Sequence, residues 1–173
     1  MGYRYSKDNI EPKGLIVLAH GLGGGGHNSN LHLVDYFSTH GYLVFAYDAT
    51  GNDESEGDSI RGIPPGLIDL DYALRFVKNT PDLVHLPIML FGHSWGAYSA
   101  GSVLNYHPDV QGVVMTAGFN RPTDVIAEAG QEIVGPAIRF LYLQKHLDKS
   151  VLYALDEELL GQIRDFYDQC AKR

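Results

Sequence analysis

The chain has 173 residues, 45% of them apolar and 20% charged, and its 13 Lys plus Arg against 21 Asp plus Glu give a formal charge of −8. That length suits a single core burying roughly 70% of the unfolded surface, and an acidic balance without clustered basic and aromatic residues argues against a nucleic-acid partner. One cysteine, Cys170, rules out an internal disulfide. The longest apolar runs fall far short of the roughly 18 residues a membrane span needs, and "MGYRYSKDN" lacks a signal-peptide core, so the expected compartment is the cytoplasm.

In chain order, the brief "YRY" reads as an edge strand and "GLIVLAH" (14–20) as a buried one. After a run of glycines, Leu31, Val34 and Phe37 recur at helical spacing, and Gly41 supplies the cap that closes this helix. "YLVFAYD" (42–48) is the next strand. From Pro65 to Thr80, Leu67, Leu70, Leu74 and Val77 line one helical face, with Pro81 ending it. "LPIMLFG" (86–92) is a third long strand, 94–107 a helix and "VQGVVMTAG" (110–118) a fourth. Strands alternating with helices predict an α/β fold, a mostly parallel sheet with helices on both faces.

Beyond Gly118 the rhythm changes, and 123–130, 133–147 and 151–170 all read as helical. The last is the strongest, with Leu152, Leu155, Leu159, Ile163, Phe166 and Cys170 three or four apart.

The stretch "LFGHSWGAYSAG" (90–101) places Ser94 between Gly92 and Gly96, directly after a strand and at the start of a helix. A serine pushed out of a strand tip needs strained backbone angles, and side chains two residues to either side would collide with its surroundings. Glycines there remove the collision. The helix that follows directs positive partial charge at the bend, where it favours a developing oxyanion.

"GHSWG" is similar to the nucleophile elbow of the α/β-hydrolase family, and the resemblance runs through most of the chain. It implies Ser94 as nucleophile and the Trp95 N–H as one half of an oxyanion hole. "LAHGLGGGG" looks like the family's His-Gly loop, which makes the Leu22 N–H the second donor, supported by His20 and Gly21 on the loop and by Gly92 and Gly96 around the elbow. "DATGNDESEG" (48–57) resembles the family's D-x-x-G-x-G-x-S-x-G loop, except that Asp53 stands at its second glycine. A serine nucleophile points to acyl transfer from a small-molecule ester or thioester, with no cofactor.

Gly21, Gly23 and Gly26 also spell G-x-G-x-x-G after a strand, and Asp48 ends the next one, as a dinucleotide-binding domain requires. Against that reading, a helix would have to begin within "GGGGHNSN", where each glycine costs about 1 kcal/mol relative to alanine. A binding module that kept the elbow without catalysis is a further alternative. No metal is expected, because His20, His27 and His32 straddle the glycine loop without a carboxylate pair.

The nucleophile needs a histidine oriented by a carboxylate. Downstream of Ser94 stand only His107, about 20 Å away along a continuous helix, and His146, which reads as a surface residue. Asp124, after the fourth long strand, is one position that an acid could take, in a minority placement. The resemblance implies an acid and a histidine on later strands, beyond a helical cap. The expected organisation is therefore an incomplete α/β-hydrolase core over 1–120 and a helical cap segment over 121–173, with base and acid supplied by a C-terminal part or fragment. Loss of the base costs a serine triad about 10⁶ in turnover, so this chain alone is expected to be nearly inert.

Overall fold

The computed structural model describes residues 1–26, 28–58, 62–121 and 157–172. They form a five-stranded sheet: β1 (Gly2–Tyr5), β2 (Leu15–Ala19), β3 (Leu43–Tyr47), β4 (Ile88–His93) and β5 (Gly112–Thr116). Their spatial order is β1-β3-β2-β4-β5. β1 runs antiparallel on the edge of β3, with Gly2 opposite Tyr47, and every other pair is parallel.

The helices are α1 (Leu31–Thr39), α2 (Pro65–Lys78), α3 (Trp95–Val103) and α4 (Glu157–Ala171). From β2 the chain steps outward to β3, then crosses back over β2 to β4 and on to β5. Right-handed crossovers therefore put α1 on one face and α2 and α3 on the other. The strands fit this sandwich because both of their faces are apolar. Leu15, Val17 and Ala19 pack with Leu70, Leu74 and Val77 of α2 and with Ala100 and Val103 of α3. Ile16 and Leu18 turn the other way, towards Leu33, Val34 and Phe37 of α1. All five residues of β2 are buried, as expected of a central parallel strand.

Two elements differ from the sequence expectation. α3 ends at Val103 and not at 107; a turn follows, in which the N–H groups of Tyr106 and His107 both donate to the Val103 carbonyl. Pro108 disfavours helical geometry at His107, and this shortens the helix.

The second difference concerns the segment assigned to a cap. Its final helix, α4, lies on the α1 face of the sheet, with Leu160, Ile163, Tyr167 and Cys170 buried in the same cluster as Phe37, Met89 and Phe91. The Tyr167 hydroxyl donates to the Leu90 carbonyl at 2.5 Å, so the ring is fully buried without leaving its polar atom unsatisfied. Asp168 accepts from Lys13 at 2.7 Å and also from the Tyr42 hydroxyl. Residues 157–171 thus belong to the core. The rest of the expected cap, 122–156, with Asp124 and His146, lies outside the described residues.

A core role for α4 makes Tyr167→Ala expensive, at about 3–5 kcal/mol. A surface or cap position would change stability by no more than about 0.5 kcal/mol. Urea denaturation of the two proteins separates these outcomes.

Candidate active site

The strand order fixes where a site can form. β2 and β4 are neighbours whose connections leave in opposite directions, and in open parallel sheets the crevice beyond the carboxyl ends of such strands is where ligands bind. The loop after β2 holds His20 to Gly26 and the loop after β4 holds Ser94. They meet: a Cβ placed on Gly21 would lie 3.3 Å from the His93 ring and 3.7 Å from Ser94 Cβ.

Ser94 sits at φ 53°, ψ −112° and is the N-cap residue of α3. A left-handed φ at a residue with a side chain costs on the order of 1–3 kcal/mol and persists only where the surroundings enforce it. Close packing enforces it here. A Cβ on Gly96 would come within 2.0 Å of the Ala19 carbonyl oxygen, and one on Gly92 within 2.4 Å of the Gly96 carbonyl oxygen. The elbow is thereby pressed into the end of β2, and alanine fits at neither position.

A serine at an N-cap ordinarily turns its hydroxyl back onto the first-turn N–H groups, worth about 1 kcal/mol. Ser94 makes no such bond. The residue is half-buried, and its backbone is held at both ends: its N–H donates to the Thr116 carbonyl at 2.9 Å, and its carbonyl accepts from the Tyr98 N–H at 3.1 Å. The helix N-terminus beyond it offers partial positive charge to an anion.

Trp95 points its indole inward. Only 2% of its surface is exposed, and Nε1 donates to the Ile63 carbonyl at 2.7 Å, tying the start of α2 to the elbow. Leu22, by contrast, is 57% exposed on the glycine loop.

His20 braces that loop. It is buried; its Nε2 accepts from the Ala49 N–H at 3.0 Å and its Nδ1 lies 2.7 Å from the Gly21 carbonyl. An Nε2 that accepts must be bare, so the proton is on Nδ1 and is donated to Gly21. Burial lowers the His20 pKa below its ordinary 6.5, outweighing the Gly21 hydrogen bond and the more distant carboxylates. The neutral ring therefore contributes stability above about pH 6.5 that is lost as the pH falls through that value toward the lower folded pKa. Denaturation midpoints measured between pH 7.5 and 5 are expected to fall for the native protein, and to fall less for His20→Gln, which has no ring to titrate.

Asp48 closes the loop from the other side. It is buried, and its carboxylate accepts from the Gly26 N–H at 2.6 Å and from the Tyr3 hydroxyl at 2.8 Å. The dinucleotide alternative fails on this arrangement. The carboxylate that would meet a ribose hydroxyl is already engaged, and the glycines form turns, with α1 starting only at Leu31. Asp53, standing where the family loop has a second glycine, keeps the left-handed backbone at φ 45°. Its carboxylate accepts from the Asn28 side chain, joining the two loops.

His107 pairs with a carboxylate, but in the wrong place. Its Nε2 lies 2.7 Å from Asp71 and its Nδ1 accepts from Lys78 at 2.8 Å, past the far end of α3 from Ser94. Among the described residues no histidine hydrogen-bonds the Ser94 hydroxyl. Sequence reasoning did not single out Asn28 or Thr116, whose contacts depend on loop and strand pairing that no local motif announces.

Residues 10–162 match the Hydrolase_4 family model, described as serine aminopeptidase, S33. The chain belongs to this family of α/β hydrolases. It is 30% identical over 95 residues to a monoglyceride lipase homolog from Monkeypox virus, a match covering 54% of this chain and 34% of that one. Among solved structures it resembles dienelactone hydrolase from Anabaena variabilis, with a TM-score of 0.59 and 25% identity over 74% of this chain and 60% of that one. Est1E from Butyrivibrio proteoclasticus, solved with ferulic acid bound, shares the fold at a TM-score of 0.63 and 19% identity, over 76% of this chain and 52% of that one. The chain thus spans a third of the viral relative and little more than half of these two structures. Among the described residues no helix is long and apolar enough to cross a membrane.

Proposed function

We propose that the protein is a serine hydrolase in which the Ser94 hydroxyl attacks the carbonyl of a small-molecule carboxylic ester or thioester. The observation that carries this is the strained φ of 53° at Ser94, on the N-terminus of α3, with its hydroxyl uncommitted to capping. Strain of this kind clusters at active sites. The relation to a monoglyceride lipase homolog favours esters over amides.

In this mechanism the carbonyl oxygen becomes an oxyanion that accepts from the N–H groups of Leu22 and Trp95. One such donor is worth about 10²–10³ in rate. His20, Gly21, Gly92 and Gly96 do no chemistry and hold those donors in place. The serine proton is taken by a histidine oriented by a carboxylate. We assign both to a C-terminal part completing the fold. Collapse of the tetrahedral intermediate expels the leaving group, which takes that proton from the histidine and departs as the alcohol or thiol; water, giving a proton to the same histidine, then releases the acid from Ser94, whose oxygen takes the proton back. Acyl groups of small or aromatic acids are the proposed substrates.

The purified 173-residue chain is expected to hydrolyse p-nitrophenyl esters about 10⁶-fold more slowly than ordinary serine hydrolases, as in triads lacking the base. Turnover at ordinary rates would show that the base lies within this chain.

A further inference from the structure

Something must hold the strand side of the elbow against the strain at Ser94. The helix side is secured by α3 itself, through the Tyr98 N–H to the Ser94 carbonyl. On the strand side, besides the packing against β2, the last residue of β5 meets the elbow at three points. The Thr116 carbonyl accepts the Ser94 N–H at 2.9 Å. The Thr116 hydroxyl lies 3.1 Å from His93 Nδ1 and 3.4 Å from the Gly92 carbonyl oxygen. One side chain thus touches both residues that lead into the nucleophile.

The chain after Thr116 reinforces the hold. Ala117 takes φ 50°, a second left-handed residue at the tip of the strand next to β4. This turn brings Gly118 against the first turn of α3, where an added Cβ would lie 2.9 Å from Ala97 Cβ. Phe119 then stacks on Tyr98, with ring centroids 5.2 Å apart and planes 7° from parallel. Two strained residues on adjacent strand tips, joined by these bonds, form one unit.

We propose that Thr116 is a positioning residue for the nucleophile: its hydroxyl, held between His93 and Gly92, fixes the direction in which Ser94 leaves β4. This rests on the serine-hydrolase reading. Threonine carries one hydroxyl proton, so its two hydroxyl contacts cannot both be donated by it. If it donates to Gly92, His93 Nδ1 carries a proton and donates to Thr116; if it donates to His93, Nδ1 is bare. In either case the ring is locked beside Gly21.

Geometry and stability can be separated here, because the bond from the Ser94 N–H goes to the main-chain carbonyl of Thr116 and not to its side chain. Thr116→Val keeps the branched shape suited to a strand and removes only the hydroxyl. Thr116→Ser restores it. The test is the rate at which a fluorophosphonate modifies Ser94 in the full chain at 25 °C, followed by intact mass over hours, with unfolding midpoints measured alongside. A small misplacement of a reacting group costs up to about 10² in rate, and the expected result is that Thr116→Val reacts at least about tenfold more slowly while Thr116→Ser stays within about threefold of the native chain.

A purely structural role would lower the midpoint of Thr116→Val and leave its rate unchanged, which overturns the inference. Should the valine variant not fold, Thr116→Ala is scored in the same way. A native chain that forms a Ser94 adduct at the same rate as the variants removes only the role of Thr116. A folded native chain whose adduct maps to a residue other than Ser94 removes the nucleophile reading, and this inference with it.

Discussion

Gly96→Ala is expected to destabilise the protein by about 3 kcal/mol or more, although it adds a single methyl group. The added Cβ would sit 2.0 Å from the Ala19 carbonyl oxygen, 2.5 Å from its carbonyl carbon and 2.7 Å from the His20 carbonyl oxygen. Overpacking costs about 1–3 kcal/mol where flexible side chains can yield, and more where they cannot. Here every obstacle is backbone at the end of the central strand. Relief requires α3 to move away from β2, which would separate the elbow from the glycine loop. Two readouts follow: a lowered unfolding midpoint, and loss of Ser94 reactivity even in the fraction that remains folded. A variant as stable and as reactive as the native chain would mean that α3 does not press on β2 in this way.

Substitution of Ser94 itself has the opposite sign for stability. Ser94→Gly removes the hydroxyl and with it all covalent modification at this position. It also relieves a left-handed backbone that costs on the order of 1–3 kcal/mol in a residue with a side chain, while the greater freedom of glycine in the unfolded chain takes back up to about 1 kcal/mol. The net expectation is a change between zero and about 3 kcal/mol in favour of the folded state. Ser94→Ala, which keeps the strain and loses the hydroxyl, should be as unreactive without that gain. Chemical denaturation of the two variants side by side distinguishes strain from a loop that is relaxed as it stands; clear destabilisation of Ser94→Gly relative to Ser94→Ala would argue that no strain is stored.

The elbow was legible in the sequence because its requirements are local. Gly92 and Gly96 are needed within two residues of Ser94, and the strand before and the helix after it carry their own periodicity. The sheet was legible for a similar reason, since runs such as "LIVLA", apolar on both faces, fit only a strand covered on both sides. His20 braces the loop through Ala49 and Gly21.

The final helix was harder. An amphipathic stripe announces that a face is buried and leaves its partner unstated. The expected stripe included Phe166, which is 41% exposed, and passed over Tyr167, which is fully buried. A tyrosine is a poor core candidate until a partner for its hydroxyl is known, and the Leu90 carbonyl 77 positions earlier is invisible to any window along the chain. Thr116 and Asn28 escaped notice for the same reason. Their contacts come from the register of β5 on β4 and from the meeting of two loops, and these are products of the fold.

Because Gly96 and Thr116 matter for chemistry only through the serine, the account is tested most directly by mass spectrometry of the purified, folded 173-residue chain after prolonged exposure to a fluorophosphonate. The expected result is one slowly formed adduct, mapped to Ser94 and absent from Ser94→Ala. A folded native chain that carries the adduct on another residue, or is modified equally when Ser94 is alanine, would contradict the assignment of Ser94 as nucleophile and leave a binding module with the shape of a hydrolase.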